Sequence, residues 1–238
     1  MLLQDYERSP IWQSILLFDQ FCRYRTGEGK QVCTDTTNSH SVDFGVHPTT
    51  IQVREKTMTT QKVKFGRSQA DAVIHAPIDK VNIGEWMFTL ASEDYAACAA
   101  GHQSCALGAL PDGKRVCVNI ESVGGVFMVQ NYLETVSEPD HVLGVSANSA
   151  MWTPDGERFT VEVHWDLRAE RLSDQTTKLI CTVELFSSDE NLNAAFSDAN
   201  FRSHSEETLR LHVEEEAPLF AKDIERKAQA GVWSGTKN

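Results

Sequence analysis

The chain has 238 residues, 41% of them hydrophobic, and a formal net charge of -12. That apolar content suits one large packed domain with an appendage and argues against disorder. The acidic balance, with no basic stripe interleaved with aromatics, excludes a phosphate-binding surface for DNA, RNA or anionic lipid.

No apolar stretch approaches the roughly 18 residues that a membrane-spanning helix needs. The opening run Met1-Leu2-Leu3-Gln4-Asp5-Tyr6-Glu7-Arg8 has early acids and no basic region ahead of an apolar one, unlike a signal peptide. Six cysteines, at 22, 33, 98, 105, 117 and 181, occur singly, without a C-x-x-C. This usage fits reduced thiols, and a cytoplasmic protein is expected.

In chain order, residues 8–24 read as a helix. Ser9 is placed to cap it, Pro10 suits its first turn, and Ile11, Ile15, Phe18 and Cys22 form its apolar face. That face must bury against the sheet, the cavity mouth or a second copy of the chain in a homodimer. A polar stretch, 26–50, reads as a long loop or arm, and 51–65 alternates like one or two strands. Gly66-Arg67-Ser68 is taken as the boundary between an appendage, 1–66, and a main domain, 67–238.

The main domain opens with a short strand at 69–76. Pro77 then starts a helical region over 78–100. Strands are predicted at 104–110, 115–123, 126–136, 141–153, 158–168 and 178–186. Turn chemistry at Pro111-Asp112-Gly113, Gly124-Gly125, Glu138-Pro139-Asp140 and Pro154-Asp155-Gly156 separates five of them. Helical spacing returns from about 191.

The last helix carries the main functional signal. Leu209, Val213, Phe220 and Ile224 make one apolar stripe, and Glu216 occupies the missing slot in it. His212 lies one turn earlier, so both side chains point the same way. A carboxylate in an apolar stripe is costly unless it is paired or binds a metal. Imidazole and carboxylate at this spacing suit zinc, iron or manganese. The plainer alternative is an exposed pair on a helix that kinks or restarts at Pro218. Further ligands must come from elsewhere. His102, after the first helical region, and Glu121, on a strand face shared with Asn119, are candidates; Glu134 and His164 stand in reserve.

The element order is strand, helical segment, about six antiparallel strands, then a long helix. With Ala76-Pro77-Ile78-Asp79-Lys80-Val81 and Trp86 in place, it resembles the START/birch-pollen-allergen-like helix-grip superfamily over roughly residues 68–230. That resemblance implies an α+β fold. A curved antiparallel sheet of about seven strands wraps a long C-terminal helix, enclosing a cavity for a small hydrophobic or aromatic ligand.

Within that superfamily, the His-x-x-x-Glu pair and the Glu121-Ser122-Val123-Gly124-Gly125 turn are similar to those of the phloretin and diacetylphloroglucinol hydrolases. Those enzymes are metal-dependent and cleave a carbon–carbon bond between an acyl group and a phenolic ring. Carried over, their zinc ligands fall on His102, Glu121, His212 and Glu216. The resemblance implies hydrolysis of an acylated phenolic ketone, with zinc, or iron or manganese, as cofactor. Tyr132, His164 and Glu134 are candidates for the proton donor that such cleavage requires. The fold alone implies an alternative: a non-catalytic binding, transport or cyclase-type protein for an aromatic, polyketide or lipid ligand. Metal content separates the two.

Overall fold

The computed structural model describes residues 62–234. The readings for 8–24 and 26–50, and most of 51–65, lie outside them. Seven strands form one antiparallel sheet: β1 (Val63–Ile74), β2 (His102–Ala109), β3 (Arg115–Val123), β4 (Val126–Glu138), β5 (His141–Trp152), β6 (Arg158–Arg171) and β7 (Thr177–Ser187). Their order across the sheet is β1-β7-β6-β5-β4-β3-β2. Between β1 and β2 come a 3-10 turn (Ile78–Lys80), α1 (Ile83–Phe88) and α2 (Ser92–Ala96). After β7 follow α3 (Glu190–Ala195) and α4 (Ala199–Gln229), which packs along β1 and β7 and touches β3. A curved antiparallel sheet holding a long C-terminal helix is the helix-grip fold.

Alternation sets the two faces of the sheet. On β6, Val161, Val163, Trp165 and Leu167 are buried, and the residues between them face outward. On β3 the buried set is Cys117, Asn119 and Glu121. Positive-φ glycines at Gly113, Gly124, Gly125 and Gly156 sit in the predicted turns. Trp86, Trp165 and Phe220 meet edge-on or tilted, with ring centroids 5.0–6.0 Å apart, and tie α1, the sheet and α4 into one core.

Three local expectations need correction. The first strand starts earlier than residue 69, and Gly66-Arg67-Ser68 lies inside it. The pairing with β7 shifts register between Lys64 and Gly66. A side chain at 66 would crowd Leu185 and Leu209, so this glycine marks a close approach within the strand. The helical region at 78–100 is not continuous. Asn82 caps α1 by accepting from the Glu85 N–H, and Ala91 is extended, which ends one helix before the next begins. Finally, α4 runs unbroken across Pro218. The proline is exposed, while Val213, Ala217, Phe220, Ala221 and Ile224 are buried on the sheet side. Tertiary packing holds the helix through the missing hydrogen bond.

Candidate metal centre

Three elements bring four side chains together. His102 opens β2, Glu121 is its cross-strand partner on β3, and His212 and Glu216 come from α4. The turn before His102 is fixed from two sides. Ser122 N–H donates to Gly101 O at 2.8 Å, and Ala100 N–H donates to Glu215 on α4 at 2.9 Å. A Cβ at residue 101 would lie 2.3 Å from the Ser122 carbonyl oxygen, so the two backbones meet this closely only because residue 101 is glycine.

His102 Nε2 lies 3.3 Å from Glu121 Oε2 and 3.4 Å from Glu216 Oε2. His212 Nε2 lies 3.4 Å from each of the same two oxygens. The ligating atoms of His102, Glu121 and His212 are within 4.8 Å of one another. All four side chains are at most 10% exposed.

The tautomer of His102 leaves one ring nitrogen to face the cluster. Its Nδ1 sits 2.9 Å from the Tyr95 carbonyl oxygen, which can only accept, so Nδ1 carries a hydrogen. Nε2 is buried, has no hydrogen-bond partner and faces two carboxylate oxygens. On a neutral ring the Nε2 lone pair would meet those of the carboxylates, so either a proton on Nε2 or a metal ion must lie between them. Isolated buried carboxylates each cost several kcal/mol. A tetrahedral ion with bonds of about 2.0–2.1 Å has N···O edges of about 3.3–3.4 Å. The four imidazole–carboxylate contacts have that length, the mutually convergent ligand atoms being those of His102, Glu121 and His212, with Glu216 beside both imidazoles; imidazole with carboxylate suits zinc, with iron or manganese as alternatives. His102, Glu121 and His212 therefore fit a divalent metal, and Glu216, next to both imidazoles, is the candidate fourth ligand.

Without a metal, protons on the imidazoles compensate the same carboxylates. Burial opposes a charge on His102, yet Glu121 and Glu216 outweigh it and push its pKa up to about 10. Burial also opposes a charge on His212, and Glu121 raises its pKa nonetheless. For Glu121, burial acts upward, but His102 and His212 hold the carboxyl well below the usual range.

A second layer of contacts orients the ligands. Tyr95 stacks on His102, with centroids 4.0 Å apart, and its hydroxyl donates to Glu121 Oε2 at 3.0 Å. Gln130 Nε2 donates to Glu121 Oε1 at 2.6 Å. The Cys181 thiol reaches Glu216 Oε1 at 3.5 Å. Such partners fix ligand orientation and support metal affinity. Tyr95 and Gln130 were not singled out from the sequence. Gln130 left a trace there: with Met128 and Tyr132 it occupies the inward row of β4, where a polar residue needs a reason. Tyr95 left none, since it reads as an ordinary apolar position.

The cluster opens on a cavity of about 490 Å³, within the range of about 300–1,000 Å³ usual for small-molecule sites. Phe65, Met128, Met151, Phe159, Trp165 and Phe220 supply apolar wall. Asn119, Gln130 and Tyr132 supply polar wall near the cluster. Burial and the carboxylates of Glu121 and Glu216 raise the Tyr132 pKa well above its ordinary value, so its phenol stays protonated.

The other two proton-donor candidates do not line the cavity. His164 is on the outer face of β6, because its neighbour Trp165 takes the inward position. There it contacts Glu162 at 2.9 Å and packs on Phe186. Glu134 is held beside α1 by Arg115, whose guanidinium bonds Glu134, Glu85 and Ser137. Arg115 holds the Glu134 carboxyl below its usual pKa, which suits an ion pair rather than an acid.

No family model matches the chain, and neither does any curated protein. Among solved structures, the ZhuI aromatase/cyclase from Streptomyces sp. R1128 is 13% identical, with all of that chain and 75% of this one covered at a TM-score of 0.45. A START superfamily protein from Mycobacterium smegmatis is 12% identical, with 97% of that chain and 62% of this one covered at a TM-score of 0.36. Ara h 8.0201 is 12% identical, with 99% of that chain and 71% of this one covered at a TM-score of 0.41. Likeness at this level carries no function across. No helix among the described residues is long and apolar enough to cross a membrane. By its own element order and strand topology, the chain has the helix-grip fold, that of the START and birch-pollen-allergen-like superfamily.

Proposed function

We propose that the chain is a metal-dependent hydrolase that cleaves the carbon–carbon bond between an acyl group and a phenolic ring. One observation carries this reading: a buried cluster of two imidazoles and two carboxylates, with an orphaned His102 Nε2, opens on a largely apolar cavity. A divalent ion at the cluster would supply Lewis acidity to a ketone carbonyl and to an attacking water.

The chain's own groups do the rest. Phe159, Trp165 and Phe220 hold the ring and exclude bulk water. Tyr95 and Gln130 keep Glu121 aimed at the cluster. Water adds to the carbonyl carbon, the acyl–ring bond breaks, and its electron pair goes to the ring carbon. Tyr132 Oη gives that carbon a proton and recovers one from the water. The products are the deacylated phenol and a carboxylic acid, in equal amounts.

The apolar wall also suits a carrier or cyclase-type protein, which would bind the same ligands without consuming water. Incubating the zinc-loaded chain with acylated phenols and quantifying both products separates the two. Equimolar phenol and acid, lost on chelation and restored by zinc, is expected. Ligand recovered intact, or product formation indifferent to chelation, would contradict the hydrolase.

A further inference from the structure

The two carboxylates of the cluster divide their oxygens in the same way. Glu121 Oε2 faces both imidazoles, at 3.3 Å from His102 Nε2 and 3.4 Å from His212 Nε2. Its Oε1 is taken instead by Gln130 Nε2, which donates at 2.6 Å. Glu216 repeats the arrangement. Its Oε2 lies 3.4 Å from each imidazole, and its Oε1 accepts from the Cys181 thiol at 3.5 Å. Both donors are built into the core: Gln130 comes from the inward row of β4 and is 3% exposed, and Cys181 comes from β7 and is fully buried. A carboxylate can only accept, so the Gln130 amide must turn its Nε2 to Glu121. That orientation leaves Gln130 Oε1 buried without a partner. Buried acceptors are nearly always paired, and an exception calls for a reason. Occupying Glu121 Oε1 is that reason.

The number of free oxygens selects the ion. A carboxylate binds a metal through both oxygens only when both are free to face it. With each Oε1 engaged, Glu121 and Glu216 offer one oxygen apiece. Together with the two imidazoles, the cluster offers at most four protein donors. Four donors match the tetrahedral preference of zinc. Manganese favours octahedral sites, and calcium takes six to eight oxygens, often from bidentate carboxylates. Those ions would be left short of protein donors here.

We propose that Gln130 and Cys181 are positioning residues that hold Glu121 and Glu216 to one oxygen each, so that the centre takes a four-coordinate ion, zinc, in preference to manganese or calcium. The proposal rests on the metal reading above.

Titration of the metal-free full chain with cobalt(II) tests it, because visible absorption is intense for a four-coordinate cobalt ion and weak for a six-coordinate one. The natural chain is expected to give the intense bands, to lose them to an equal concentration of zinc, and to keep them against manganese. Gln130→Met and Cys181→Ala each free one Oε1. In each, the bands should weaken and the preference for zinc over manganese should fall by about tenfold. Either variant decides the matter if the other does not fold. Cys181→Ser returns a donor and should restore the natural spectrum. Tyr95→Phe loses a bond to Glu121 Oε2 rather than Oε1, so it should weaken cobalt and zinc binding alike and keep the intense bands. Weak bands in the natural chain, or intense bands and an unchanged preference in both Gln130→Met and Cys181→Ala, overturn the proposal and leave the metal reading standing. A natural chain that takes up no cobalt, zinc or manganese sinks both.

Discussion

Replacing Gly101 with alanine tests whether one backbone contact positions the metal cluster. The new Cβ would lie 2.3 Å from the Ser122 carbonyl oxygen, whereas ordinary contact begins at 3.4 Å. The two backbones, joined by the Ser122 N–H to Gly101 O bond, must separate by about 1 Å, which costs about 1–3 kcal/mol as overpacking does. His102 is the next residue and would move with them. Metal–ligand distances tolerate only about 0.2 Å, so His102 Nε2 would leave bonding range. Zinc affinity should fall by about tenfold to a hundredfold, the usual effect of losing ligand support. Competition against a chromophoric chelator measures the affinity, and thermal unfolding measures the stability. Gly108→Ala, on β2 with nothing within 4 Å of the added Cβ, is the control and should leave zinc affinity unchanged without lowering stability. Natural affinity in Gly101→Ala would refute the positioning argument.

Further outcomes follow from the same geometry. Tyr132→Phe should keep zinc and the melting temperature while lowering turnover by about 10²–10⁴-fold; undiminished turnover would remove Tyr132 as the proton donor. In the metal-free chain, the raised His102 pKa contributes stability that is fully present below the unfolded value of about 6.5 and is lost as pH rises through about 10. Its melting temperature should fall across that window while the zinc-loaded form holds, and zinc affinity should rise with pH because the ion and protons compete for His102. A metal-free chain that gains stability over the same window would contradict this. Pro218→Ala adds the N–H that an exposed mid-helix position lacks and should stabilise the fold by about 1–3 kcal/mol; a lower melting temperature would show that Pro218 serves the packing of α4.

Much of the fold was legible because its signals are local. Six of the seven strands follow the alternation and turn residues closely, and Glu216 in the apolar stripe marked the inward face of α4. The predictions that missed were those decided by tertiary contact. Gly66 reads as punctuation but sits in β1, where its missing side chain admits Leu185 and Leu209. Pro218 reads as a break, yet the buried residues around it hold the helix. Convergence was the hardest part of the site to read, because 110 residues separate His102 from His212 and no periodicity spans that gap. Glu134 shows the limit of parity. It falls on the same alternate row as Tyr132, but Arg115 holds it beside α1.

The central claim is that His102, Glu121, His212 and Glu216 together hold a divalent ion. Elemental analysis of chain purified without a histidine tag tests it most directly, alongside Glu216→Ala. The account predicts close to one zinc, iron or manganese per chain, with retention lowered by about tenfold or more in the folded variant. A content near zero, unchanged after incubation with zinc, would contradict it and leave a cavity that binds its ligand without a metal.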